Sequence, residues 1–155
     1  MPRASHRLDI VLVPINPDQE VDVNALRGLV AQWRGRGDLV SGGQDAIRVD
    51  IPRRVALYGN QQGGFAVRCP SSAENIVPAF NRAVTTWRAG GSRSLRCPSC
   101  GDTHPLESLE FAPPAAFAMG AIVLAGVATA AISGVARAEA EAVLGPLRVI
   151  LRRVG

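Results

Sequence analysis

The chain has 155 residues, 47% hydrophobic and 19% charged, the balance of a globular protein long enough to bury a core without disulfides, which excludes a disordered chain. The formal charge is +4 and all 17 cationic side chains are arginine; Arg codons can be rich in G and C, so a GC-rich genome accounts for the missing lysine without any polybasic function. Three cysteines, and an N-terminus (Met1-Pro-Arg-Ala-Ser-His6) without the apolar run of a signal peptide, point to a reducing cytoplasm.

In chain order, Arg7 to Pro14 is an apolar, β-branched run closed by proline, which predicts a buried strand followed by a turn at Asn16-Pro17-Asp18. A helix capped by Asp22 or Asn24 is expected to reach about Gly35, with Leu26, Leu29, Val30 and Trp33 on one face. Three alternating runs follow, Ala46 to Pro52, Arg54 to Tyr58 and Phe65 to Cys69, with Gly59 to Gly64 before the last; they read as antiparallel strands joined by tight turns. A second helix, about Ser72 to Arg88, carries Ile76, Val77, Phe80, Val84 and Trp87, with Ser72 as N-cap unless Pro78 moves the start later. Ala25-Leu26, Val30, Trp33-Arg34 and Gly37 recur 54 positions on as Ala79-Phe80, Val84, Trp87-Arg88 and Gly91. This is either a duplication or the likeness of any two core-facing helices that end at glycine.

Glu107 to Ala112 alternates as a strand. From Ala115 to Ala136 there is no charged residue, a length that can cross a membrane, but its Ala, Gly, Ser and Thr content favours a strand at about Phe117 to Leu124 and a helix at about Ala128 to Leu144, with Ile132, Val135 and Val143 inward. Gly145-Pro146 stops that helix, and Leu147 to Val154 reads as a closing strand. The expectation is one α+β domain over residues 1–155: a mixed, mostly antiparallel sheet, about three helices, and a cysteine-bearing element over about 64–104 at one edge.

The cysteines carry the chemistry. Gly64-Phe-Ala-Val-Arg-Cys-Pro-Ser-Ser72 and Gly91-Ser-Arg-Ser-Leu-Arg-Cys-Pro-Ser-Cys100 each place Arg-Cys-Pro-Ser at the end of a strand. A C-x-x-C turn aims two thiolates at one tetrahedral metal while its backbone N–H groups face the sulfurs. The pair resembles the knuckles of zinc-ribbon proteins. It departs from them at Ser72, where a thiol is expected, and in the 24 residues between the knuckles, which hold a helix instead of a short hairpin. His104, in Cys97-x-x-Cys100-x-x-x-His104, is the nearby fourth donor, so the candidate zinc set is Cys69, Cys97, Cys100 and His104, with water as the alternative fourth ligand. An empty relic with Cys69 as a small core residue is the competing reading. The whole chain is similar to short bacterial proteins of uncharacterised function that carry ribbon-like cysteine pairs, a resemblance that implies no particular activity.

Three functions compete. A non-enzymatic interaction module, stabilised by zinc and docking a protein partner, is the favoured reading. Nucleic-acid binding rests on Arg82, Arg88, Arg93 and Arg96, which lie in a stretch, Asn75 to Gly101, without any acid, and on Arg148, Arg152 and Arg153; stacking partners are scarce, with Phe65 and Tyr58 the only nearby exposed candidates. Thiol–disulfide chemistry at Cys97 and Cys100 is opposed by context, because Gly101-Asp-Thr-His-Pro105 reads as a turn and a redox C-x-x-C opens a helix. No phosphate-binding loop, nucleotide fingerprint or nucleophile elbow is present, and no acidic residue is spaced as a general base beside the cysteines.

Overall fold

The computed structural model describes residues 7–59 and 65–154; of Arg7 and Val154 only the backbone is described. In chain order the elements are β1 (Arg7–Pro14), α1 (Val23–Trp33), β2 (Ala46–Asp50), β3 (Ala56–Tyr58), β4 (Ala66–Arg68), α2 (Val77–Arg88), β5 (Ser94–Arg96), β6 (Thr103–Pro105), a 3-10 turn at Leu106–Ser108, β7 (Glu110–Ala112), β8 (Ala116–Ala118), β9 (Ala121–Val127), α3 (Gly134–Leu144) and β10 (Leu147–Val154). The α+β class stands. Where the sequence predicts one domain, contacts gather into two compact units, one of residues 1–60 with 115–155 and the other of residues 61–114.

The first unit is built on a four-stranded sheet in the order β10-β1-β9-β2, with every neighbouring pair antiparallel. Counting only these strands and α1 and α3, the chain runs β-α-β-β-α-β, the ferredoxin-like arrangement. Strand alternation assigns the two faces. Ile10 and Leu12 of β1 join Leu26, Val30 and Trp33 of α1 and Ala136, Ala140 and Leu144 of α3 in one core. Val11 and Val13 point the other way and pack with Val123, Ile150, Tyr58 and Ala118. Fully burying a side chain such as Leu26 contributes roughly 2 kcal/mol, and the Asp22 cap, whose carboxylate accepts from the Ala25 N–H at 3.0 Å, about 1 kcal/mol more.

Between Leu8 and Ile10 the β1–β9 register slips by one residue. Gly126 absorbs the slip at φ +67, a conformation that L side chains resist, and a Cβ there would run into the Asp45 side chain. The Gly126 N–H donates to Asp9, a carboxylate 7% exposed that also meets Arg152 at 3.2 Å and Arg48 at 3.9 Å. A charge in a buried strand is thereby paired.

Apart from β5 and β6, consecutive strands do not pair as hairpins. β2 pairs with β9, β3 with β8 and β4 with β7, a nested order in which the chain goes out through three strands and returns through three others. The outermost strands of the first unit's extension close at Tyr58↔Ala116, and the second unit lies between these positions in the chain. The turn expected at Gly59 to Gly64 falls, from residue 60 on, outside the described residues. The mixed sheet is thus divided into one four-stranded sheet and three two-stranded ladders.

Three local expectations are corrected. Ser72 does not cap the second helix. The helix starts at Val77 with Pro78 in its first turn, and Asn75 Oδ1 accepts from the Val77 N–H at 3.3 Å. Val135 is not inward but 64% exposed, because the Ser133 cap starts α3 at Gly134 and sets a phase in which Ala136, Ala140 and Leu144 face the sheet. Small alanines let α3 sit close. The strand predicted from Glu107 begins only at Glu110, after the 3-10 turn. No helix among the described residues is long and apolar enough to cross a membrane, and the uncharged segment 115–136 holds β8 and β9 instead.

The second unit has its own small core: Val67, Ile76, Ala79, Phe80, Val84, Leu95, Leu106 and Leu109 are buried. Phe65, Phe80 and Phe111 meet as three ring pairs with centroids 5.4 to 6.1 Å apart.

Candidate metal centre

Two turns of the same backbone construction present the cysteines. In the first, the Cys69 N–H donates to the Glu74 carbonyl at 3.0 Å and the Ala73 N–H to the Cys69 carbonyl at 2.8 Å. In the second, the Cys97 N–H donates to the Asp102 carbonyl at 2.8 Å and the Gly101 N–H to the Cys97 carbonyl at 2.9 Å. The flanking bridges match too, Arg68↔Asn75 against Arg96↔Thr103. Every partner recurs at the spacing that separates Cys69 from Cys97. The left-handed residue recurs as well, Ala73 at φ +60 and Gly101 at φ +82.

Such a turn points N–H groups at the sulfur. Ser99 and Cys100 each donate a backbone N–H to Cys97 Sγ at 3.4 Å. Their counterparts Ser71 and Ser72 do the same for Cys69, whose thiol also gains a bond from the Ser72 hydroxyl; that bond, aided by the two N–H groups and opposed by burial, holds it down to about 6. At Cys100 the Asp102 backbone N–H favours the thiolate, but burial and the neighbouring sulfurs of Cys69 and Cys97 outweigh it and push the thiol up. Three sulfurs this close can all be thiolates at once only beside a cation; otherwise at least one keeps its proton.

The three Sγ atoms lie within 4.8 Å of one another, with Cys69 and Cys97 buried and Cys100 half-buried. His104 comes from β6 directly opposite Leu95 of β5, so its ring shares the inward face of that ladder while Thr103 and Pro105 stay exposed. Its Nε2 is 3.2 Å from Cys100 Sγ and 3.9 Å from Cys69 Sγ. A tetrahedral zinc with ordinary bond lengths sets sulfur–sulfur edges of about 3.8 Å and sulfur–nitrogen edges of about 3.6 Å. The His104 edges to Cys100 and Cys69 lie within a few tenths of an ångström of the sulfur–nitrogen value, while the group that meets within 4.8 Å on every edge is the three sulfurs alone.

Ser72 occupies the position of the missing thiol without taking up its role. It is exposed, and its hydroxyl accepts from the Ser99 hydroxyl at 2.8 Å, which links one turn to the other. Its bonding role at Cys69 was the part of the site hidden from the sequence; the shared Pro-Ser after each Cys was the available signal.

The arginine stretch is not the field it appears to be along the chain. Arg93 is 17% exposed and bonded to Glu107, its Nε 3.1 Å from the carboxylate, so it braces β5 against the 3-10 turn. Arg82, Arg88 and Arg96 are exposed. The unit carries five arginines (Arg68, Arg82, Arg88, Arg93, Arg96) against four acids (Glu74, Asp102, Glu107, Glu110), close to balance. The stacking candidates fail: Tyr58 is 6% exposed with its hydroxyl donating to Asp50 at 2.6 Å, and Phe65 is half-buried among the phenylalanines. Burial and the Asp50 carboxylate together push the Tyr58 hydroxyl far up. Cys97 and Cys100 sit in a hairpin turn between β5 and β6 and lack the helix N-terminus that activates a redox C-x-x-C. Comparison with protein-family models, curated proteins and solved structures finds no match.

Proposed function

We propose that this chain is a non-enzymatic interaction module whose inserted unit is held by one structural zinc ion on Cys69, Cys97, Cys100 and His104. The observation that carries this reading is the convergence of three sulfurs from two separate turns, with the His104 imidazole nitrogen beside two of them. Soft thiolates with an imidazole suit zinc among the common divalent metals, and four protein donors close a tetrahedral shell, leaving no position for a substrate. When bound, the ion supplies positive charge to the thiolate cluster and joins the two turns. The backbone N–H groups around Cys69 and Cys97 then act as the outer shell that orients the ligands.

A protein partner suits the surface better than a nucleic acid. The unit's charge is nearly balanced, Arg93 is taken by Glu107, and the aromatic residues serve packing. Elemental analysis of the purified chain tests the metal: about one zinc per chain supports the reading, and none overturns it. Titration with mixed-sequence DNA and RNA tests the partner class; affinity that falls steeply with salt would favour nucleic acid.

A further inference from the structure

We propose that residues 65–114 form a metal-dependent folding switch: they are ordered while Cys69, Cys97, Cys100 and His104 share an ion and lose that order without it, whereas residues 7–59 and 115–154 keep their fold in both states. The inference rests on the metal reading above and adds the regulation of that site.

The inserted unit is short of other support. A segment of this size rarely holds a single core without a disulfide, a metal or an equivalent staple. Its strands β4, β5, β6 and β7 have three residues each and form two separate two-stranded ladders, β4–β7 and β5–β6. A lone ladder of this length is marginal in water. Its helix α2 has 12 residues and no side-chain bond from its N-cap residue Ile76, and isolated helices of that length are marginal too. The ligands bridge this division. Cys69 follows β4, while Cys97, Cys100 and His104 belong to the β5–β6 hairpin, so an ion ties one ladder to the other.

The first unit needs none of this. Its four-stranded sheet, its two capped helices and its large apolar core are complete in residues outside the insertion. The chain leaves through Tyr58 and returns through Ala116, which face each other in the β3–β8 ladder, so the ladder is closed whether the segment between them is ordered or not. Metal occupancy therefore decides whether the inserted unit presents a surface at all, without disturbing the platform that carries it.

Hydrogen exchange read by mass spectrometry on the full chain tests this in three states: as purified with zinc, after EDTA, and after zinc is returned. On chelation, peptides from 65–114 are expected to exchange on the order of 100-fold faster or more, with those from 7–59 and 115–154 changing less than about twofold, and zinc restoring the first pattern. Cys97→Ser in the full chain is expected to show the zinc-free pattern at zinc concentrations that fully protect the unaltered chain, which separates ligand loss from other effects of the chelator. Protection that survives in 65–114 of a chain shown to have lost its zinc overturns the switch and leaves the metal site standing. Loss of protection across both units also overturns it. A purified chain that binds no zinc overturns both proposals.

Discussion

The two cysteine turns share a backbone and differ in what they offer a metal. Residues 66–76 and 94–104 have the same bridge, the same two turn hydrogen bonds and the same left-handed fourth residue after the Cys. Yet the first contributes one donor, Cys69, and the second three, Cys97, Cys100 and His104. The place of His104 is held in the first turn by Ile76, which is buried in the core, and the place of Cys100 by Ser72. The main chain thus specifies the turn without needing a second thiol. Side chains alone decide how the candidate donors are divided, and three of them, Cys97, Cys100 and His104, fall within one hairpin.

That asymmetry can be broken by removing donors from either side. Cys97→Ser leaves donors scattered over both hairpins and is expected to lower zinc affinity by about 1,000-fold or more, while Cys69→Ser leaves three donors in one hairpin and costs about 100-fold. Competition with a chromogenic chelator measures both, and equal losses would show that the local trio confers no advantage. His104→Ala should also cost about 100-fold, and adding Ser72→Cys should recover most of it by moving the shell to four sulfurs. A double variant as weak as His104→Ala alone would mean that the first turn cannot aim a second sulfur.

The backbone equivalence has its own, smaller test. Ala73→Gly should raise the unfolding free energy of the zinc-bound protein by roughly 0.5–1 kcal/mol, and Gly101→Ala should lower it by about 1 kcal/mol, since both positions are left-handed and only one carries the residue that suits it. Denaturant titration followed by α2 helicity reads these opposite signs. The smallest effect lies outside the turns. Glu139, held below its ordinary value of 4.5 by the Trp33 indole N–H and the Arg36 guanidinium, is stabilising above that pH, and the benefit fades as pH falls through its lower folded value. Glu139→Gln should flatten the acid dependence of the first unit's melting temperature and leave zinc affinity at neutral pH unchanged.

The sequence made some of this legible and hid the rest for physical reasons. The strands β1 and β10 and the helix α1 with its Asp22 cap were readable because each is closed by proline, glycine or a capping side chain and carries an unbroken apolar pattern. The three cysteines that the fold gathers were readable as candidates from their spacing, as was His104, which lies beside two of them. The nested pairing was not, because Ala46 to Asp50 and Ala56 to Tyr58 state a face and no partner, and their partners return some sixty to eighty positions later. The phase of α3 was misread because Val135 outweighs Ala136 on any hydropathy scale, whereas close packing against the sheet favours the smaller residue. One of the four arginines was misread for a similar reason: Glu107 lies outside the stretch in sequence and beside Arg93 in space.

The order of pairing along the chain also bears on how the protein is made. β1 and β10 join Arg7 to Val154 and Pro14 to Leu147, so the central sheet cannot close until nearly all of the chain is available. Every ladder of the insertion, from Ala66↔Ala112 inward, uses residues much closer together. Chains emerge N-terminus first and short loops close at lower entropic cost, so the cysteine-bearing unit is able to assemble during synthesis while the sheet that brackets it waits. Collapse of that unit would shorten the loop that β3 and β8 must later close.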